Sequence, residues 1–364
     1  MSKVPDLVDK CLRTGMHAMA LTDHGNMYGI KELLDYSKKT NSKLKAQAEE
    51  KGEEYIPFKP IVGIEAYCAR RGRLMQDKDY KVANAGNKIQ VIDMSEWHLI
   101  LLAKNKTGYQ NLCKLTSLSF MDDSFYRTAR IDKELLEECH EGLICSSACL
   151  GGELPQKILS GIYNSAHLEN ESERFADAEA TIEWFKRVFG DDYYIEIQRH
   201  QTDKPRADQH TYQVQKVVNE VLVELARKHN VKVIASNDVH FVEEEHAEAH
   251  DRLICLSTNH NVDDEDRMFY TKQEWLKTPK EMAAIFEDIP EAISNTQEIV
   301  DKVEVYSIDS GPIMPKFPIP EEFGTEESYH QKFTEQDLFD EFTRDEHGNV
   351  VLSQEAAEKK IKTL

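Results

Sequence analysis

Apolar positions along the chain fall into two alternating patterns. Val4, Leu7, Val8, Cys11 and Leu12 recur at three- and four-residue spacing, with Pro5 suited to a first turn and Gly15 to a stop. The chain therefore opens on a predicted amphipathic helix. Behind it the spacing collapses into short, nearly continuous apolar runs: "AMALTD", "KPIVGIEAYCA", "WHLILLAKN", "GLICSSACLGG", "YYIEIQRH" and "VKVIASNDVHF". Helical spacing returns between them, around 30–36, 109–118 and 174–188, and in the series Val214, Val217, Val218, Val221 and Leu225. Six strand candidates alternating with amphipathic helices predict an α/β fold, a parallel sheet or barrel covered by helices. Strands buried on both faces lose the polar alternation of a half-exposed sheet.

In barrels and open α/β sheets alike, the loops leaving the carboxyl ends of the strands build the site, because several strand ends converge there. Asp23 and His24 follow the first run, Glu65 lies at the far end of the second, Cys149 closes the fourth, and Asp238 and His240 close the sixth. His98 begins its run, so only an antiparallel return of that segment brings it to the same end. Imidazoles and carboxylates converging from separate strands suit divalent zinc or manganese, at about 2.0 to 2.2 Å per bond. Paired ions generate a hydroxide nucleophile and stabilise in-line attack on phosphorus, which makes phosphoester hydrolysis the expected reaction class. Each residue alone has a blander role: a single His as a hydrogen-bonded core residue, an Asp-His pair as a helix cap. The weight rests on the set.

Charge narrows the partners. Among 364 residues, 45 basic against 66 acidic side chains give a net −21. That field repels phosphate backbones except where a local patch or bound cations reverse it, which excludes a general DNA-coating surface. Seven cysteines, odd in number and without a C-x-x-C pair, predict reduced thiols. No apolar run approaches about eighteen residues and the first fifteen form a mixed helix, so the chain reads as soluble and cytoplasmic, with no membrane partner. His246 and His250 lie four apart but lack the Glu that a metalloprotease needs directly after the first His. Cys145 reads as a core residue, and the acidic run "VDDEDR" as a solvated loop. His200, ending its strand run, either lines the cleft or fixes a loop by hydrogen bonding. Arg127, Lys104 and Lys106 either meet a phosphate or sit on solvated faces.

The segments "ALTDHGNMYGIKE", "KPIVGIEAY", "HLILLAKNKTGYQNLCKLTS", "GLICSSACLGGELPQ", "YYIEIQRHQ" and "IASNDVHFVEEEHAEAHD" resemble the PHP domain, the polymerase and histidinol phosphatase fold. The order is consistent from about residue 4 to residue 320. "FYTKQEWLKTPKEMAAIFEDIPEAISNTQEIVDKVEV" further resembles the form attached to bacterial replicative DNA polymerases, not the stand-alone phosphatases. The resemblance implies a distorted (β/α)7 barrel. It carries metal-ligand roles onto His24, Glu65, His98, Cys149, Asp238 and His240, with Asp23 an outer partner or occasional ligand. Family members open on a His-x-His strand upstream of the first helix, whereas Met1 here stands directly at that helix. The expectation is thus a barrel missing its first strand, a site short of two imidazoles, and at most one ion held well. A PHP domain over 1–280 and a connector with the start of a polymerase core over 281–364 are expected, the magnesium-binding carboxylates of that core lying beyond Leu364. Two roles follow: a metal-dependent phosphoesterase acting as a 3′–5′ exonuclease, or a metal-free module that braces the polymerase core or docks a proofreading subunit. DNA and other subunits of the replicative assembly are the implied partners.

Overall fold

Helix α1 (Val4–Arg13) forms where the apolar spacing predicts it, with Pro5 in its first turn and Gly15 at φ +83° leading the chain out. Val4, Val8 and Cys11 bury against Leu33 and Phe58. The computed structural model describes residues 2–83, 89–121, 123–163, 173–315, 320–332 and 334–361. Its strands are β1 (Ala18–Leu21), β2 (Lys59–Ala69), β3 (Lys81–Ala83), β4 (Ile89–Val91), β5 (Glu96–Ala103), β6 (Arg130–Ile131), β7 (Leu143–Ser146), β8 (Tyr193–Ile197) and β9 (Lys232–Ala235). The six expected runs become β1, β2, β5, β7, β8 and β9, hydrogen-bonded in that order, while β6 pairs with β2 off this path and β3 and β4 form a separate hairpin.

One part of the parallel expectation fails. β5 runs antiparallel to both β2 and β7, whereas the β1–β2, β7–β8 and β8–β9 pairs are parallel. Reversal of β5 sets Tyr67 opposite His98 and brings the start of β5 to the end of β2. That is the condition under which His98 joins the other strand-end residues.

Helices α2 (Ile30–Lys51), α3 (Lys106–Ser119), α4 (Lys133–Cys139), α5 (Glu153–Tyr163), α6 (Ala176–Phe189) and α7 (His210–His229) alternate with the strands. α2 runs far beyond the apolar signal at 30–36 because its polar continuation consists of good helix formers up to Gly52, in the left-handed conformation. On one face of the sheet Val62, Ile64, Leu101, Cys145, Ile195 and Val233 pack with helix residues such as Leu112, Leu136, Ile158, Ile182 and Val218. The other face carries Ile61, Leu102, Ile144 and Ile234, which line a cleft of about 1270 Å³. Gly108 at the start of α3 meets Gly142 so closely that a Cβ on it would stand 1.9 Å from the Gly142 carbonyl oxygen. β1 and β9 end the strand path, and among the described residues no strand joins them. The result is a curled, open sheet, a distorted barrel with a gap.

Helices α8 (Ala247–Thr258), α9 (Pro279–Ile285) and α10 (Pro290–Lys302) complete a unit spanning Met1–Ser307. α10 lies against β9, where Asn295 Nδ2 donates to the Val233 carbonyl at 2.8 Å. A second unit, Ile308–Leu364, holds α11 (Glu326–Lys332), α12 (Glu335–Thr343) and α13 (Gln354–Ile361). Among the described residues no helix is long and apolar enough to cross a membrane.

Candidate metal centre

The Thr-Asp-His-Gly turn after β1 is held by continuing the ladder to β2. Glu65 N donates to the Asp23 carbonyl at 3.1 Å and Gly25 N donates to the Glu65 carbonyl at 2.8 Å, which seats His24 beside Glu65. Gly25 adopts φ +66°, and a Cβ there would stand 2.9 Å from the Tyr67 ring, so glycine is required on both counts. Asp23 turns the other way: its Oδ2 accepts from Gly29 N at 3.1 Å and fixes the entry to α2.

Glu65 sits buried between two imidazoles. Its Oε1 lies 2.6 Å from His98 Nδ1 and its Oε2 lies 3.4 Å from His24 Nδ1. One ligand atom from each of His24, Glu65 and His98 falls within 4.8 Å of the other two. The His24 ring stands 5.9 Å from the His98 ring and 5.7 Å from the His240 ring. Cys149 arrives from the turn after β7, where Ala148 adopts φ +61°; its Sγ accepts from Gly151 N and lies 3.5 Å from His98 Nδ1. β7 ends at Ser146, so strand alternation does not relate Cys149 to Cys145, which is wholly buried.

Asp238 and His240 follow β9 through a second left-handed residue, Asp238 itself at φ +45°. The residue before it is clamped. Asn237 Nδ2 donates to the carbonyls of Gln273 and Trp275 at 2.9 and 2.7 Å, and His200 Nε2 donates to the Asn237 carbonyl at 3.2 Å. Gln215 Nε2 completes the clamp by donating to His200 Nδ1 at 3.1 Å. Of the two roles open for His200, the structure shows the loop-fixing hydrogen bond. His240 Nδ1 donates to the Asp238 carbonyl at 2.7 Å, so the Nε2 lone pair faces the Tyr270 hydroxyl, which donates to it at 3.4 Å. Cys149, Asp238 and His240 thus surround the trio and line the same cleft as His24 and Glu65.

Burial and mutual charge shift the protonation of His24, Glu65, His98, Cys149 and Asp238. Burial works to raise the Glu65 carboxyl, but the His98 hydrogen bond and the charge of His24 outweigh it and leave Glu65 below the usual carboxylate range. Burial depresses His24, favouring the neutral imidazole that a metal needs. It opposes, without overcoming, the Glu65 hydrogen bond that raises His98. Asp238 is pushed up to about 7, first by burial and then by the carboxylates of Glu65, Glu196 and Glu274. Burial also drives the Cys149 thiol well up. The carboxylates of Glu65 and Asp238, together with the imidazoles of His24, His98 and His240, form a donor set of nitrogen and oxygen that fits a divalent cation.

Some residues at the site carried no sequence signal, or a weak one. Tyr67 stacks on His24 at 6.3 Å and shares its strand face with Glu65, two residues earlier, so strand alternation implied it. Tyr270 lies thirty positions beyond His240 and nothing in the spacing announced it. Glu196, buried, accepts from Ser146 Oγ at 2.5 Å, from Ser236 Oγ and from Gln198 Nε2 at 3.1 Å. His246 accepts from Glu243 N at 3.3 Å in a cap, and His250 packs on the His240, Phe241 and Tyr270 rings. Lys104 pairs with Asp192, while Lys106 and Arg127 are exposed. The acidic "VDDEDR" run is mostly solvated, but Arg267 turns inward to a buried bidentate pair with Asp251 at 2.7 and 2.8 Å.

The family model described as "PHP domain" matches residues 1–200. The chain is 38% identical over 335 residues to the DNA polymerase III subunit alpha of Borreliella burgdorferi, covering 92% of this chain and 25% of that protein. It is 34% identical to the subunit of the same name from Campylobacter jejuni, covering 88% of this chain and 23% of that one. With the Thermus aquaticus subunit the identity is 35%, over 87% and 22% of the two chains. The chain thus spans about a quarter of the length of these relatives.

Proposed function

The chain belongs to the PHP domain family, and on that footing we propose that it is the amino-terminal region of a DNA polymerase III alpha subunit, working in DNA replication, whose histidine–glutamate centre is a metal-dependent phosphoesterase site. The observation that carries this reading is the meeting of His24, from the turn after β1, with Glu65, inside β2, and His98, near the start of β5, within 4.8 Å of one another. A divalent ion there, zinc or manganese, supplies a Lewis acid and an activated water for phosphodiester hydrolysis, as in a 3′–5′ exonuclease. Glu65 contributes the fixed negative charge and orients His98 through their hydrogen bond. Cys149, Asp238 and His240 are proposed as further ligands, Asp238 held toward the site by the clamped turn before it. His200 acts one step removed, through Asn237.

Polymerisation, DNA and the other DNA polymerase III holoenzyme subunits come to this chain as proposals from the names of its relatives. In this scheme residues 1–280 form the PHP body, and 281–364 lead toward a polymerase core whose magnesium-binding carboxylates lie elsewhere. The test is metal analysis and hydrolysis of bis(p-nitrophenyl) phosphate and of end-labelled single-stranded DNA, on the native chain and on His98→Ala. About one tightly held equivalent, with hydrolysis lost in His98→Ala, is expected. A folded native chain that takes up no zinc or manganese refutes the proposal and leaves the bracing or docking module.

A further inference from the structure

Beside the metal centre stands a rigid knob built around one buried cation. The Arg130 guanidinium, almost wholly enclosed, donates to the carbonyls of Arg73 at 2.5 Å, Met75 at 3.2 Å, Asp93 at 2.8 Å and Ser124 at 3.2 Å. It thereby locks three loops together. The knob is fastened to the site, because β6, which contains Arg130, pairs with Tyr67 and Cys68, just past Glu65 on β2.

What the knob presents outward is unusual for this chain. Tyr80, Phe120 and Phe125 are each more than 40% exposed, and Leu74, Met75 and Met121 lie exposed among them. The Arg71 guanidinium lies 3.9 Å over the Tyr80 ring, and Phe120 stacks on Phe125 at 6.1 Å. Among the described residues no carboxylate pairs with the exposed Lys78, Lys81 or Arg127. Residues 70–83 carry five cations against two carboxylates, in a chain of net −21. Arg71 is paired with Asp93 and Arg73 with Asp132, so Lys78, Lys81 and Arg127 are the cations left open on a knob that is close to charge balance and adjoins the candidate site.

We propose that this knob is a binding platform for single-stranded nucleic acid, leading the strand past Tyr67 to the metal centre. Flat exposed rings beside unpaired cations match alternating bases and phosphates, and base stacking on aromatic rings contributes about 1–3 kcal/mol per base. A duplex is disfavoured because its paired bases offer no free faces. A peptide without acidic residues would use the aliphatic side chains but leave Lys78, Lys81 and Arg127 unpaired. The platform takes its purpose from the phosphoesterase reading, yet binding itself needs no ion.

The experiment is fluorescence anisotropy of a labelled, mixed-sequence deoxyoligonucleotide of about 15 nucleotides, with the full chain in chelator so that no hydrolysis occurs. Saturable, salt-sensitive binding is expected. The combined Lys78→Glu, Lys81→Glu, Arg127→Glu variant should bind at least about tenfold more weakly, with the salt slope reduced by about 2. Tyr80→Leu should lose about fivefold or more, while Tyr80→Phe, which keeps the ring, stays near native. Lys43→Glu, an equivalent charge reversal on α2, serves as the control and should change little. Absence of saturable binding, or a triple variant indistinguishable from Lys43→Glu, overturns the platform. So does capture of a Glu- and Phe-rich peptide at the knob in place of the oligonucleotide, which would assign the surface to a protein partner. Intact binding in chelator with no hydrolysis after metal is restored refutes the phosphoesterase reading and leaves the platform standing.

Discussion

His98 Nδ1 lies 2.6 Å from Glu65 Oε1, across a strand pair in which Glu65 faces Ile100 and His98 faces Tyr67. The contact runs diagonally over one face of the β2–β5 ladder, so it exists only because β5 is antiparallel. Glu65→Gln keeps the shape of the side chain and removes its charge. Zinc or manganese affinity, measured calorimetrically, should fall at least about a hundredfold. Affinity within a factor of a few of native would show that Glu65 does not hold the ion.

His24→Ala distinguishes a ligand from a core residue. The His24 side chain is 43% exposed and packs in a wet, charged site, so removing it opens no large apolar cavity. Melting temperatures of native and variant protein should coincide in chelator and separate when metal is added. A clear drop in chelator would mean that His24 supports the fold directly, with a partner left unsatisfied at about 1–3 kcal/mol.

His200 gives the fold an acid limit. Burial holds its imidazole at about 4, with the neighbouring Lys277 and His240 also opposing protonation. The unfolded chain takes up this proton near 6.5 and the folded chain only near 4, so the neutral form is favoured by folding. Its contribution is complete above the unfolded value and is lost as pH falls from about 6.5 toward 4, by about 3 kcal/mol at most. Urea midpoints of native protein should decline across that interval, and those of His200→Gln should decline less. His250, also held at about 4 by burial, keeps part of the slope in the variant.

Two glycines separate steric from conformational demand. At Gly108 an added Cβ meets the Gly142 backbone, which cannot swing aside, so Gly108→Ala should cost about 3 kcal/mol. Gly15 has a positive φ but nothing within 4 Å of a Cβ, so Gly15→Ala should cost about 1 kcal/mol. Denaturant midpoints of the two variants should therefore differ clearly, with Gly108→Ala the less stable.

Strands such as Lys59–Ala69 were legible because burial on both faces writes a continuous apolar run, and the polar residues ending such runs marked His24, Asp238 and His240; Glu65, expected at a strand end, lies inside β2, which runs on to Ala69. His98 was legible only conditionally, since apolar pattern reports burial and not direction; the orientation of β5 is set by pairing with residues far off in sequence. The left-handed turn at Asp238 left no trace, because the usual glycine is absent and the hydrogen bonds through Asn237 come from segments near 200 and 273. Arg130 left no trace either. An arginine between two polar loops resembles a solvated residue, and its burial depends on four carbonyls that three-dimensional packing alone assembles.

The gap between β1 and β9 has a mechanical meaning. His24 and His240 follow the first and last strands of the path, and their rings stand 5.7 Å apart, so side chains meet at one rim where backbone pairing does not. The sheet behaves like a cuff with a clasp: its curl and the spacing of the clasp are a single variable. Whatever changes how tightly α10 props β9, such as loss of the Asn295 contact to Val233, changes the clasp without touching it. An ion gripping both sides would in turn stiffen the whole cuff, including edges far from where it binds.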